Sequence, residues 1–154
     1  MNLLHPVFLA LHSLAAIVWV GGMFFAHMAL RPAVGPMSPK ERLELWSRVF
    51  PRFFAWVWAA VVILLGTGHV IIVEVYGNMK SAGLFIEAMA AIGLVMAILF
   101  MYLFFVPYRR FNAAMRQSDL ATAAVHQARI RQIVTVNMVL GMITVVVGTV
   151  GRLI

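Results

Sequence analysis

Four long apolar segments constrain the fold of this chain more than any other feature of its sequence. They cover approximately residues 3–30, 53–75, 82–106 and 130–150, and each is long enough to cross a bilayer core of about 30 Å as a helix of roughly 20 residues. Hydrophobic residues make up 64% of the 154 residues, more than a soluble domain of this size can bury. Glycine and proline lie mostly at the segment edges, which favours helices over barrel strands. The sequence therefore predicts an all-α fold, a bundle of four transmembrane helices forming a single domain over residues 1–154.

The basic residues predict how this bundle is oriented. The chain has twelve lysines and arginines: nine lie in the intervals 31–52 and 107–129, Arg131 lies just after the second interval, and Lys80 and Arg152 are the other two. The positive-inside rule then places these two loops in the cytoplasm and both termini on the periplasmic side of a bacterial inner membrane. The lipid bilayer is the predicted partner, with anionic headgroups near the loops. Nucleic-acid binding is not expected, because no aromatic–basic platform accompanies the charge.

Other sequence features exclude some chemistry and predict helix starts. The chain contains no cysteine, which excludes disulfides and thiolate ligands. The first segment has no basic residue before its apolar run, so we expect a membrane helix rather than a cleaved signal. Ser38 and Glu41 form a capping-box pattern that predicts a short amphipathic helix in the first loop. Ser118 or Asp119 is the predicted cap of an extension of the fourth helix.

Three ionisable side chains lie at a similar depth on three different helices. His12 and His69 are each about 9 Å from the predicted periplasmic boundary and Glu87 is about 8 Å from it, at 1.5 Å per helical residue. His5 precedes His12 by two turns on the same side of the helix. Ionisable groups inside a bilayer cost about 2.5–3.5 kcal/mol each on insertion scales and mark functional sites. The sequence thus predicts a site near the periplasmic face.

Small and aromatic residues accompany the two histidines on their helix faces. Gly66 lies one turn before His69, and Trp19 and Trp58 lie further along the two faces. Small residues would leave room for a flat macrocycle, and the two tryptophans would form its walls. Imidazole nitrogens at equal depth can be axial ligands of haem iron, while imidazole and carboxylate groups can ligate copper. A hydrogen bond between the two histidines, holding two helices in register, is the structural alternative.

Two further polar residues have predicted roles in packing. Asn137 lies on a face of the fourth segment that contains small residues, which predicts an interhelical hydrogen bond. His27 lies about 22 Å along the axis from His12 and cannot share its site. We expect His27 to anchor the helix at the membrane interface or to pair with Asn137.

Several stretches resemble a known family along essentially the whole chain. "LHSLAAIVWVGGMFFAHMALRPA", "RFFAWVWAAVVILLGTGH", "FVPYRRF" and "RIRQIVTVNMVLGMITVVVG" are similar to the copper-resistance D (CopD) family of integral membrane proteins. A more distant likeness is to the HemJ-type membrane protoporphyrinogen oxidases, carried by Leu11, His12, Trp19, Gly21 or Gly22, and Phe25. The CopD resemblance implies copper handling, and the HemJ resemblance implies a b-type haem bound by the first-helix histidine. Phe85 and Glu87 depart from the HemJ pattern, which has a histidine and a lysine there.

The sequence leaves three functions open. The favoured one is a haem b centre near the periplasmic face, which would make the protein a haem-dependent membrane oxidoreductase exchanging electrons with quinol or another redox partner. Copper binding or transport through the same histidines is the second, and a partner subunit without metal is the third. A homo-oligomer is compatible with each, and no catalytic residue is assigned. The predicted cofactor-binding residues are His12, His69, Trp19, Gly66 and Trp58, and the predicted metal ligands are His12, His69, Glu87 and His5.

Overall fold

Four long helices make up most of the structure. The computed structural model of the protein describes residues 4–151. A 3₁₀ turn, Met79–Ser81, joins the second and third helices, and the described residues include no strand. The all-α, four-helix prediction is confirmed, while residues 1–3 and 152–154 of the predicted domain lie outside the described range. The helices are His5–Ala33, Pro39–Tyr76, Leu84–Arg116 and Leu120–Val150, and each is long and apolar enough to cross a membrane.

The predicted capping residues begin two of the helices. The Ser38 hydroxyl accepts a hydrogen bond from the Glu41 backbone N–H at 3.3 Å, and the Glu41 carboxylate accepts one from the Ser38 backbone N–H at 3.0 Å. Asp119 accepts from the Thr122 backbone N–H at 3.0 Å. Hydrogen bonds from the side chain and backbone of Thr122 lower the pKa of the Asp119 carboxyl. Asp119, rather than Ser118, is therefore the cap of the fourth helix.

The interval 31–52, predicted as a loop, is mostly helical. The predicted short amphipathic helix and the second membrane segment are one continuous helix, Pro39–Tyr76. Its buried residues keep a helical spacing across the predicted boundary, since Trp46, Phe50 and Phe54 lie on one face. Burial of this face continues below the membrane segment, so the helix does not end there.

The interval 107–129 is mostly helical as well. The third helix continues to Arg116 and the fourth begins at Leu120. Residues 34–38 and 117–119 are all that connect these helix pairs, and such short connections require antiparallel neighbours. We call the end with these two connections the basic end and the opposite end the outer end.

Two π turns in the first helix keep one face buried. They cover Ile17–Gly21 and Ala26–Leu30. In a regular α-helix, eight residues end about 80° away from the starting face. A π turn adds one residue to a turn, so Ala15, Trp19 and Met23, spaced four apart, are all buried. The first helix therefore packs along a face with a spacing of four residues.

A third π turn, Phe104–Tyr108, has the same effect in the third helix. A proline within it has no N–H to donate, which removes one helical hydrogen bond. Phe100, Phe104 and Tyr108 consequently contact the same ring, that of Phe54 on the second helix, with centroids 5.7, 6.3 and 4.9 Å away. These aromatic contacts form the centre of the core.

The core is concentrated toward the basic end. The outer segments of the four helices contain no buried residue; these are residues 5–14, 68–76, 84–95 and 142–150. The first helix packs mainly on the second, and the third mainly on the fourth. The buried core therefore lies in the basic half of the bundle, and the outer end, where the sequence predicts the functional site, has helix contacts such as Met89 with Gly148 but no buried residue in these segments.

Candidate functional site at the outer edge of the core

His12 on the first helix is hydrogen-bonded to Thr67 on the second. The distance between His12 Nδ1 and Thr67 Oγ1 is 2.8 Å. Thr67 is buried, with 7% of its surface exposed, and His12 is half-buried. The pair therefore links two helices at the edge where the buried core ends.

The hydrogen bonds of Thr67 favour one tautomer of His12. The Thr67 hydroxyl lies 2.6 Å from the Ile63 carbonyl, and we assign its proton to that bond. A hydroxyl has one proton, so with this assignment the same oxygen accepts from His12, and Nδ1 is the protonated ring nitrogen. In the neutral ring this leaves the lone pair on Nε2. Metal-ligating histidines commonly have this arrangement, with one nitrogen donating to an oxygen and the other free to coordinate.

Glycine allows the His12 ring to lie close to the second helix. A Cβ at Gly68 would lie 3.4 Å from His12 Cε1, at the short limit of ordinary contact. At Gly66, predicted to make room for a macrocycle, a Cβ would meet nothing within 4 Å, and this residue is exposed. The close approach to the imidazole is therefore made at Gly68, while Gly66 borders open space.

His69 lies on a different face of the second helix from Thr67. Two residues along an α-helix correspond to a rotation of about 200°. Because Thr67 faces the first helix, His69 projects away from it, and its side chain is exposed. Within one chain the partner of His12 is Thr67, and a ligand shared by His12 and His69 stays a prediction.

The remaining predicted metal ligands also lie at the outer end. Glu87 is exposed on the third helix and His5 is partly buried in the first turn of the first helix. Within residues 4–151, no three His, Cys, Asp or Glu side chains lie together in a group that could hold a metal ion. The structure therefore does not bring the four predicted ligands together as one preformed cluster.

Trp19 and Trp58, predicted as walls of the cofactor site, both pack against the Phe100 ring in the core. Trp19 packs edge-on against Phe100 with centroids 6.3 Å apart, and Trp58 packs against the same ring at 5.2 Å. Trp19 is seven residues from His12, or about 10 Å along the axis, and Trp58 is about 13 Å from Thr67. Trp19, Trp58 and Phe100 thus form an apolar layer between the histidine and the basic end, which we call the apolar floor.

The other two packing predictions have different outcomes. Asn137 donates from Nδ2 to the Met96 carbonyl on the third helix at 3.1 Å, which confirms its interhelical hydrogen bond. The predicted pairing of His27 with Asn137 is wrong, because His27 Nδ1 lies 3.3 Å from Thr135 Oγ1. Thr135 is two residues from Asn137 and lies on a different face of the same helix.

Thr67 is the site residue that the sequence analysis missed. Its signal is the motif "GTGH", in which a hydroxyl lies two residues before His69 in an apolar helix. Residue spacing alone gives the depth of each residue in the membrane, and depth favours His69 over Thr67 as the partner of His12. Choosing between the two requires the rotation of the helix, which only packing reveals.

These features define the class of protein: a four-helix membrane protein with antiparallel neighbours and, toward its outer end, a histidine hydrogen-bonded to a threonine of the next helix. The chain belongs to the family described as copper resistance protein D (CopD), whose model matches residues 47–150, more than half of the chain. The matched region contains Thr67 but does not include His12. No curated protein and no solved structure matches the chain. The CopD resemblance is confirmed, and the HemJ resemblance stays a prediction.

Proposed function

We propose that this protein handles copper at the membrane and binds a copper ion through Nε2 of His12. One observation carries the proposal: the hydrogen bond between His12 and Thr67, 2.8 Å long, leaves Nε2 with the only lone pair of the neutral imidazole. Imidazole is a suitable copper ligand. The description of the family, copper resistance, supports copper as the ion.

The distribution of charge supports a periplasmic position for this ion. The basic end contains all the lysines and arginines of residues 31–52 and 107–129, and the positive-inside rule places such an end in the cytoplasm. His12 lies toward the other end of its helix. We therefore propose that copper reaches the protein from the periplasmic side of a bacterial inner membrane.

One imidazole does not complete the coordination of a copper ion. The further ligands we propose are His5, His69 and Glu87, all in the outer segments of their helices. His69 and Glu87 are exposed, and because His69 projects away from the first helix, we propose that it contributes from a neighbouring copy of the chain. In this proposal Thr67 orients the imidazole and fixes its tautomer without touching the ion.

Copper binding to the purified protein tests the proposal. Full-length protein in detergent is titrated with Cu(I) against a chromophoric chelator. We expect one ion to bind per chain and His12→Ala to remove this binding. The matched control is His126→Ala, which removes a histidine near the basic end. Equal copper affinity for wild type and His12→Ala would overturn the proposal.

Haem b bound through the same Nε2 is the second candidate function. The outer segments 84–95 and 142–150 contain no buried residue, and Trp19, Trp58 and Phe100 would provide an apolar floor beneath a ligand held by His12. Bound haem would supply one-electron redox chemistry, with quinol or another redox partner in the membrane. In this case too His12 would be held by Thr67.

Absorption spectra distinguish the two candidates. Protein purified from haem-replete cells should show a Soret band if haem b is the cofactor, and His12→Ala should lose the band while His126→Ala keeps it. A colourless protein that binds copper would exclude haem and support the first proposal. A protein that binds neither would leave the histidine with a role in helix packing alone.

A further inference from the structure

A cavity at the basic end lies between the first, second and fourth helices, far from His12. Its volume is ≈ 300 Å³. Its lining combines aromatic side chains, which are buried or partly buried, with basic ones. The aromatic side chains, called the aromatic side or wall below, are Trp46, Phe50, Phe53 and Phe54, and the basic ones are Arg31, Arg42 and Arg131.

The three arginines come from three different helices and have no acidic partner. Arg31 lies near the end of the first helix, Arg42 near the start of the second, and Arg131 on the fourth. Lys40–Glu44 is the one ion pair in the described part of the chain, and no carboxylate lines the cavity. The cavity therefore presents three positive charges that no carboxylate neutralises.

Two further polar side chains line the cavity, His27 and Gln127. The Thr135 hydroxyl donates to the Arg131 carbonyl at 2.9 Å, so it accepts from His27 Nδ1, at 3.3 Å. The lone pair of the neutral His27 ring is then on Nε2. A hydrogen-bond acceptor beside three cations suits a ligand that has hydroxyl groups next to its negative charge.

The aromatic side indicates a ligand with an apolar part. Phe53 is partly buried and presents the accessible part of this wall, while Phe50 and Phe54 belong to the core and are at most 5% exposed. A free inorganic anion would gain nothing from this wall. Phospholipids combine an anionic phosphate with acyl chains, and basic pockets between helices on the cytoplasmic side bind such headgroups.

We propose that this cavity binds one anionic phospholipid with a hydroxyl-bearing headgroup, of the phosphatidylglycerol class. The phosphate lies among the arginines, the headgroup hydroxyls donate to His27 Nε2 and to the Gln127 carbonyl oxygen, and an acyl chain lies along the aromatic wall. A phosphatidylethanolamine headgroup fits less well, because its ammonium group would lie beside the guanidinium groups. This site is independent of the proposed copper function.

Native mass spectrometry of delipidated, full-length protein tests this site. Dioleoyl phosphatidylglycerol, phosphatidylethanolamine and phosphatidylcholine are added separately at equal concentrations. The test variant is Arg31→Gln/Arg42→Gln/Arg131→Gln. The matched control is Arg48→Gln/Arg52→Gln/Arg110→Gln, which removes three exposed arginines that do not line the cavity.

We expect phosphatidylglycerol to bind in preference to the other two lipids, and the test variant to lose this preference. Each cation near an anionic headgroup contributes roughly fivefold to affinity, so the triple variant should bind phosphatidylglycerol about 100-fold more weakly. The control should change little. Should the triple variant fail to fold, Arg31→Gln alone should still lower the affinity roughly fivefold.

Two outcomes would overturn the inference. Equal losses in test and control variants would mean that the lipid responds to general surface charge rather than to the cavity. Displacement of phosphatidylglycerol by equal concentrations of inorganic phosphate or glycerol phosphate would mean that the ligand is a soluble anion. In that case the aromatic wall has no part in binding.

Discussion

Two histidines of the first helix share one arrangement at the scale of the residue. His12 and His27 each contact a threonine hydroxyl that already donates to a carbonyl four residues earlier in its own helix. With each hydroxyl proton assigned to that carbonyl, the histidine donates from Nδ1 and its lone pair is on Nε2. Spacing in the sequence identifies His12 as a functional candidate, whereas Thr67 becomes visible only once the rotation of the second helix is known.

Thr67→Val tests the role of the threonine in the copper proposal. Valine keeps the shape of threonine but removes the acceptor for His12 Nδ1, so we expect copper affinity to fall about 10- to 100-fold, as for other residues that orient a metal ligand. Thr67→Ser keeps the hydroxyl and should stay close to wild type. The measurement is a Cu(I) titration at fixed pH. A valine variant with wild-type affinity would remove Thr67 from the site.

Asn137 allows a prediction about stability. It is 2% exposed, donates from Nδ2 to the Met96 carbonyl, and its Oδ1 has no partner within the described residues. Asn137→Leu removes one interhelical hydrogen bond together with the unpaired acceptor, so we expect a loss within about 1 kcal/mol. Asn137→Asp buries an ionisable group and should cost about 3 kcal/mol. Thermal unfolding in detergent should rank aspartate as clearly less stable than leucine, and the reverse order would contradict this account.

At the scale of the element, sequence signals for helix starts were more informative than those for helix ends. The capping residues Ser38 and Asp119 are predictable because their hydrogen bonds are local. The continuation of helices through 31–52 and 107–129 is not, because it depends on tertiary burial of their aromatic faces. The π turns are likewise invisible in the sequence until a face with a spacing of four residues is known to be buried.

The Asp119 cap predicts that the stability of the first turn of the fourth helix depends on pH. Its pKa is lowered by hydrogen bonds from Thr122, so its contribution to helix stability is complete above the ordinary carboxyl pKa of about 3.9. The contribution is lost as the pH falls through the lowered value. We expect hydrogen exchange at the Thr122 amide to be slow at neutral pH and to lose this protection only as the pH falls below the ordinary carboxyl pKa and through the lowered pKa of Asp119, after the intrinsic pH dependence of exchange is removed.

Substitutions at Asp119 provide the control for this test. Asp119→Ala should expose the Thr122 amide at every pH, while Asp119→Asn, which also caps helices, should protect it without the acid-dependent loss. Unchanged protection in the alanine variant would mean that the cap does not hold this turn.

At the scale of the whole molecule, the structure has a buried core in its basic half and no buried residue in the outer segments of its four helices. Hydropathy and length predict the four helices, because the bilayer requires roughly 20 apolar residues per crossing. The positive-inside rule predicts the orientation. Neither predicts that the core ends near Ala15 and Thr67, which is set by side-chain packing and places His12 at the boundary between the two halves.

Cysteine labelling tests the predicted orientation. The chain has no native cysteine, so Gln117→Cys and Met79→Cys each report one exposed position, at the basic and outer ends respectively. In spheroplasts, a membrane-impermeant maleimide should label Met79→Cys directly and Gln117→Cys only after permeabilisation. The opposite pattern would place His12 on the cytoplasmic side.

Nitrogen NMR of the imidazole of His12 tests the central claim most directly. The protein is labelled with ¹⁵N-histidine, and the His12 signals are assigned by comparison with His12→Gln. At a pH where the ring is neutral, Nδ1 of His12 should be protonated and Nε2 unprotonated. Adding Cu(I) should then shift the Nε2 signal of His12 and leave that of His126 in place. A neutral ring protonated at Nε2, or a His12 spectrum that copper leaves unchanged, would contradict the account.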